Sequence, residues 1–254
     1  MQAIDRIADG AVQEIILNRP DKMNALGNSE FQALAALAVA VGQSGARAAI
    51  LRGEGRAFCT GQDIASLDPS ATDAERLMRE GVNRAIEAVY AIPVPTIAAV
   101  QGHCVGGGFG LAFACDIVLA AEDAFFGSPF GKIGCVADSA THYHLRQRLG
   151  HHMASELIYT GRMLSGREAA ERGLINAALP PDRLLAEARK MAATIAQGPT
   201  LAFRESKRIL QSDAGFAATL DAEAVAQGLN IKTHDGVEGF RAFQEKRPPR
   251  FTGF

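Results

Sequence analysis

Four short stretches rich in β-branched and aliphatic residues constrain this chain more than anything else in it. They are Val12 to Asn18 (VQEIILN), Ala48 to Arg52 (AAILR), Thr96 to Val100 (TIAAV) and Ile117 to Ala121 (IVLAA). The last three are near-continuously apolar, so both of their faces want cover, and helical stretches lie between them. That order predicts parallel sheet built from strand–helix units, an α/β fold. Arg19-Pro20 ends the first stretch, because proline has no N–H for a ladder. Ser29 with Gln32 reads as a capping box ahead of Phe31, Leu34, Leu37, Ala38 and Val41, which recur at helical spacing. Thr72 with Glu75 opens a second helix whose Met78, Val82, Ile86 and Val89 face one way, and Pro93 and Pro95 close it.

The second half changes character. Ser165 with Glu168 caps a short helix that Gly173 ends, Asp182 begins another running to Gly198-Pro199, and Asp235 with Glu238 caps a last one carrying Phe240 and Phe243. From about residue 182 little reads as strand. The expected organisation is a core over residues 1–195 followed by a helical region over 196–254.

Composition narrows the function. The 254 residues are 48% hydrophobic and 21% charged with a formal net charge of -2, which fits an ordinary globular protein and argues against a general nucleic-acid binder. No apolar run approaches the ~20 residues of a membrane helix. The amino terminus MQAIDRIADG carries acidic residues and no apolar core, so a signal peptide is not expected. Cys59, Cys104, Cys115 and Cys135 show no CxxC spacing and read as reduced, mostly buried thiols, so a cytoplasmic location is expected. There is no GxxxxGK[ST], HExxH or GxSxG motif, and the six histidines are scattered, so no metal site is expected.

Two glycine-rich loops follow two of the strands directly. One is Gly53 to Ile64 (GEGRAFCTGQDI) and the other Gly102 to Gly110 (GHCVGGGFG). Glycine permits positive φ and close backbone approach, and a helix starting behind such a loop presents free N–H groups. Two loops of this kind can aim one N–H each at a shared carbonyl oxygen, an oxyanion hole, although from glycine spacing alone tight strand-to-helix turns are the commoner explanation.

Taken together, the motifs resemble the crotonase superfamily, also called the enoyl-CoA hydratase/isomerase family. The matching pieces are Asn18-Arg19-Pro20 with Asn24-Ala25-Leu26, GRAFCTGQDI at 55–64 and AAVQGHCVGGGFGLAFACDI at 98–117. FFGSPFGKIG at 125–134, TGRMLSGREAAERGLIN at 160–176 and EGFRAFQEKRPPRF at 238–251 complete the set. The resemblance implies a spiral of ββα units with a C-terminal helical region that packs homotrimers, often paired into hexamers. It implies an acyl-CoA thioester as substrate and no separate cofactor. The family's oxyanion N–H groups map onto Gln62 and Gly107. Its coenzyme A contacts map onto Lys22, Phe243 and Lys246, the last two reaching a neighbouring subunit. Thr60 and Ile64, on either side of Gln62, and Phe130 complete the candidate substrate contacts.

This sequence departs from the hydratase pattern at both acids. One hydratase glutamate falls at Gly110, the other at Phe130. Hydration needs a base for water and an acid for C2, so the ordinary hydratase mechanism is in doubt. One acid remains, Asp138, eight residues beyond the FGxP segment. In related isomerases an acid there is the base, and in aryl-CoA dehalogenases it is the nucleophile. Taken alone it also suits the N-cap of a helix from Ser139 to Leu149. The expectation is an isomerase that shifts a double bond through a thioester enolate, with Asp138 as the base and Phe130 among apolar walls that raise its pKa. The phenylacetyl-pathway isomerase resembles this sequence in the first-loop GQD and the lone aspartate. Three alternatives stay open. One is dehalogenation, although the dehalogenase's histidine falls near Asn83 and its tryptophans are missing. The others are hydration by a different acid/base set, and a non-catalytic acyl-CoA binder. Asn83, His103 and His142 are further candidates for the acyl pocket.

Overall fold

The expected strands pair in parallel and the chain winds as a spiral. A computed structural model describes residues 2–65, 67–68 and 70–254. Strands β1 (Ile4–Asp9) and β2 (Val12–Leu17) form an antiparallel hairpin, and β3 (Ala48–Gly53), β4 (Thr96–Val100) and β6 (Ile117–Ala121) add in parallel. With β9 (Ala177–Leu179) they complete a six-stranded sheet of order β1-β2-β3-β4-β6-β9. A second sheet, of order β5-β7-β8, holds β5 (His103–Val105), β7 (Phe125–Gly127) and β8 (Leu164–Ser165). Strand β4 thus leads into β5 and then a helix, and β6 into β7 and then a helix, which is the expected ββα repeat. Cys59, bridged in parallel to Cys104, continues the second layer from the preceding turn of the spiral.

The helices pack around these sheets. Helix α1 (Asn28–Gln43) buries Phe31, Leu34, Ala38 and Val41, close to the set its spacing predicts. Helix α2 (Ala74–Leu77) runs through a π turn, Met78–Val82, into α3 (Asn83–Tyr90), and α1 and α3 lie against each other. Helix α4 (Gly107–Phe113) is buried throughout. Helix α5 (Thr141–Thr160) is kinked at Gly150, with His151 and His152 exposed just beyond. After α6 (Gly166–Glu171) and β9, every regular element among the described residues is helical: α7 (Leu184–Ala196), α8 (Thr200–Leu210), α9 (Phe216–Asn230) and α10 (His234–Gln244). Helix α7 packs on β3 and β4, and Lys207 of α8 reaches the Asp116 carboxylate at 2.8 Å and the Val94 carbonyl at 3.2 Å. No helix among the described residues is long and apolar enough to cross a membrane.

Several helix starts differ from their sequence-based assignments, each for a local reason. Helix α1 starts after Gly27, whose N–H donates to the Glu30 carboxylate at 3.0 Å, so the reciprocal contact involves Glu30 rather than Ser29 with Gln32. Asp73, not Thr72, caps α2, because the Thr72 hydroxyl donates instead to the Asp68 carbonyl at 2.6 Å. Helix α7 begins at Leu184, after Arg183, with no side-chain cap from Asp182. Thr233 caps α10, because buried Asp235 accepts the N–H groups of Thr252 and Gly253, each at 2.7 Å. Asp138 does not cap α5 with its side chain, and the residue before that helix is Ala140. Ser165 with Glu168 is the capping box expected.

Candidate active site

The first glycine loop is shaped by the turn that precedes α1. Asn24 is fully buried and accepts the Arg19 N–H at 2.7 Å, while its amide donates to the carbonyls of Ala57 at 2.8 Å and Glu54 at 2.9 Å. Leu26 then clips the loop from both sides, donating its N–H to the Gly61 carbonyl at 2.8 Å and accepting the Asp63 N–H at 2.9 Å. Gln62 is left between the clips, and among the described residues its N–H has no acceptor. The Thr60 hydroxyl and N–H both donate to the Met23 carbonyl, at 3.3 and 3.2 Å, which ties the loop to the Pro20–Lys22 turn.

The second loop meets the first along its backbone. Gly61 has φ +86°, and a Cβ there would lie 2.7 Å from the Gly107 nitrogen. Gly106 has φ +55° and ψ -120°, a combination open only to glycine, and it turns the chain from β5 into α4. Gly107 is the first residue of that helix, so its N–H has no partner within it. Among the described residues no other acceptor takes it. Two unpaired N–H groups from adjoining loops therefore border one space.

That space is a pocket of about 210 Å³, and Thr60, Gln62, Ile64, Gly107, Phe130 and Asp138 all line it. The Phe130 ring stands 3.3 Å from where a Gly106 Cβ would be, so it forms the wall over the second loop. Met78 and Val82, from the π turn, supply the opposite apolar wall. Among the described residues Asp138 is the sole ionisable one in the lining. Burial pushes its carboxyl above the ordinary carboxylate range, against the opposing effects of the Ser139 hydroxyl and the nearby His142. The Ser139 hydroxyl donates to Asp138 Oδ1 at 2.7 Å. The Asp138 carbonyl, rather than the side chain, serves the start of α5 by accepting the Thr141 N–H at 3.0 Å.

The Gly110 position is closed to a larger side chain. A Cβ there would overlap the Ser139 carbonyl oxygen and lie 2.7 Å from Ser139 Cβ and 2.8 Å from Ile86 Cδ1. Ser139 and Ala140 are both left-handed, at φ 56° and 59°, and this step carries the Ser139 carbonyl against Gly110. Non-glycine residues rarely adopt this conformation, and such strain clusters at functional sites.

Three candidate contacts lie outside the pocket. Lys22 is exposed on the Pro20–Lys22 turn, Phe243 is 84% exposed on α10, and Lys246 is exposed just beyond it. None of Asn83, His103 and His142 lines the pocket: His103 stacks on Phe125, and His142 borders a separate cleft with Tyr143 and Arg146. The sequence places Met78 and Val82 on one apolar helix face without assigning them to the pocket, and it gives Asn24 and Ser139 no role. The Asn24 signal was present in the NRP…NAL motif, whereas nothing in the sequence marks a left-handed serine.

Comparison with known proteins identifies the family and the fold. The profile of the enoyl-CoA hydratase/isomerase family matches residues 8–253. A Rhodobacter capsulatus protein named "probable enoyl-CoA hydratase" is 38% identical over 242 residues, spanning 94% of this chain and 93% of its own. Human enoyl-CoA hydratase domain-containing protein 2, mitochondrial, is 34% identical, spanning 96% of this chain and 87% of its own. Among solved structures, enoyl-CoA hydratase from Bacillus anthracis superposes with a TM-score of 0.93 at 31% identity over the full length of both chains. With its spiral of ββα units and its two abutting glycine loops, the chain belongs to the enoyl-CoA hydratase/isomerase family, the crotonase superfamily.

Proposed function

We propose that this protein is an enoyl-CoA isomerase that moves a double bond within an acyl-CoA thioester, with Asp138 as its base. The observation that carries this reading is that a lone carboxylate shares one apolar pocket with two unpaired N–H groups. The thioester oxygen sits between the N–H groups of Gln62 and Gly107. Ionised Asp138 takes a proton from C2 of a 3-enoyl thioester, and the electron pair of the broken C–H bond delocalises onto the thioester oxygen as a dienolate. Fixed donors in a water-poor pocket stabilise that charge. The C3=C4 pair then accepts the proton at C4 as the new C2=C3 bond forms, and Asp138 returns to its ionised state. No water is added and no cofactor takes part. A carboxyl raised by burial suits this proton transfer, because it is a stronger base than an exposed aspartate.

Hydration is the second reading, favoured by the names of the relatives. It requires a base for water and an acid for C2, and the pocket lining offers one carboxylate. Incubation of a 3-enoyl-CoA with the protein in heavy water separates the two by NMR. The isomerase gives the 2-enoyl product with deuterium at C2 or C4, and Asp138→Asn slows turnover about 10²- to 10⁴-fold. Formation of a 3-hydroxyacyl product, or full turnover by Asp138→Asn, overturns the proposal. For the assembly we infer homotrimers in which Phe243 and Lys246 reach a neighbour's coenzyme A, with Lys22 contacting the coenzyme A of its own subunit.

A further inference from the structure

We infer that Ser139 is a positioning residue that assigns separate tasks to the two oxygens of Asp138, holding Oδ1 and leaving Oδ2 to carry the proton. This rests on the reading of Asp138 as the base.

Ser139 is 4% exposed and lines the same pocket as Asp138. Its hydroxyl donates to Oδ1 at 2.7 Å, and among the described residues no other group donates to either carboxylate oxygen. A carboxylate with both oxygens free rotates about its Cβ–Cγ bond and offers two basic sites in varying orientations. Once Oδ1 is held, the remaining lone pairs of Oδ2 have a fixed direction. A 1,3-shift needs one oxygen to reach both C2 and C4 of the same bound substrate, and reacting groups held in position gain heavily over free ones.

The backbone serves the same arrangement. The left-handed pair Ser139 and Ala140 turns the chain just before α5, so the serine lies beside the carboxylate rather than at the helix start. In this conformation the Ser139 side chain faces Asp138 while its carbonyl closes the space beside Gly110. One residue thus orients the single acid and bars a second acid from the Gly110 position.

Other charges around Asp138 are few. The imidazole of His142, on the first turn of α5, lies near enough to favour the ionised form of Asp138, as the Ser139 hydroxyl does. Among the described residues, the walls contributed by the two glycine loops, the π turn and the Phe130–Ile133 turn present only uncharged groups to the pocket. Removing the serine hydroxyl therefore leaves burial opposed by His142 alone, and the carboxyl becomes harder to ionise.

Ser139→Gly is the discriminating variant, because glycine adopts φ 56° without cost and loses only the side chain. Two measurements are made on it. The first is a carbon-13 NMR titration of the aspartate carboxyls in the free protein, with Asp138→Asn supplying the assignment. The expected result is an Asp138 midpoint about one unit higher in Ser139→Gly, the effect of losing one hydrogen bond to the charged form. The second is the pH profile of 3-enoyl-CoA turnover. Here kcat is expected to fall roughly tenfold with KM within about twofold, and the acid limb of kcat/KM to move up by the same single unit. An unchanged midpoint, or a fall in kcat with no movement of the acid limb, overturns the inference. Full activity in Asp138→Asn removes the base itself. An inactive Asp138→Asn beside an unaffected Ser139→Gly removes the role of Ser139 alone.

Discussion

His144 shows how a single buried group ties this protein to pH. It lies near the carboxylate in sequence but packs away from it, between Phe113 and Tyr143, and its Nδ1 sits 2.9 Å from the Arg148 guanidinium. Burial first, and the Arg148 charge second, push its pKa down to about 4. In the unfolded chain it titrates near the ordinary histidine value of about 6.5. Between those values the unfolded state binds a proton that the folded state refuses, so stability falls as pH drops from about 6.5 to 4 and levels off below. The contribution is at most about 3 kcal/mol. Urea denaturation at pH 7 and pH 4.5 is expected to show this loss in the wild type and a flatter dependence in His144→Asn; equal slopes in the two proteins would remove the assignment. The cysteines respond in the opposite sense: burial pushes the thiols of Cys59 and Cys115 up to about 12, so both stay protonated at neutral pH.

At the scale of elements, the pair Lys207–Asp116 fastens α8 to the sheet. The Lys207 ammonium is buried, and besides the Asp116 carboxylate it reaches the Val94 carbonyl, while that carboxylate also takes the N–H and hydroxyl of Thr96. Lys207 is buried but the Asp116 side chain is 25% exposed, so solvent takes up part of the stranded charge, and Lys207→Ala is expected to lose about 2 kcal/mol by chemical denaturation. A loss under about 1 kcal/mol would mean that solvent reaches Asp116 freely. What was legible at this scale follows from burial. Strands β3, β4 and β6 are apolar on both faces and were readable from sequence. Strand β1 carries Asp5, Arg6 and Asp9 on an exposed edge, so it shows no such run, and the strands of the smaller sheet are too short to carry a pattern. Caps were misplaced where several Ser, Thr and Asp residues compete within a few positions, as at Thr72 and Asp73. The π turn left no signal, because widening one helical turn keeps Met78 and Val82 on one face. In the site, the two glycine loops and Asp138 were legible as motif, whereas the closure of Gly110 depends on the path of Ser139, which only coordinates reveal.

For the whole molecule, the most informative surface lies on the last helices. Leu220, Val225 and Leu229 of α9 and Phe240 and Phe243 of α10 are all exposed, and Phe240 and Phe243 line a separate apolar groove with Ile231 and Phe251. Isolated exposed hydrophobics are ordinary, but the apolar groove that Phe240 and Phe243 line marks a contact surface. Sedimentation velocity is expected to show a trimer or a multiple of it, and Phe240→Asp with Phe243→Asp to release monomers that keep their fold. A monomeric wild type at micromolar concentration would remove the trimer proposal and, with it, the reach of Phe243 and Lys246 toward a neighbour.

The overlap at Gly110 bears on engineering. The glutamate that the hydratase pattern implies here and the glycine present differ by a single codon on paper, yet this chain does not accept the exchange in one step. A glutamate at Gly110 drives its side chain into the main chain of Ser139. The Ser139–Ala140 turn would have to be rebuilt first, and rebuilding it would disturb Asp138, the proposed base. Directed evolution toward water addition should therefore begin in the turn, which lies beyond β6, β7 and the Phe130–Ile133 turn in sequence, and treat the acid at Gly110 as the last change to make.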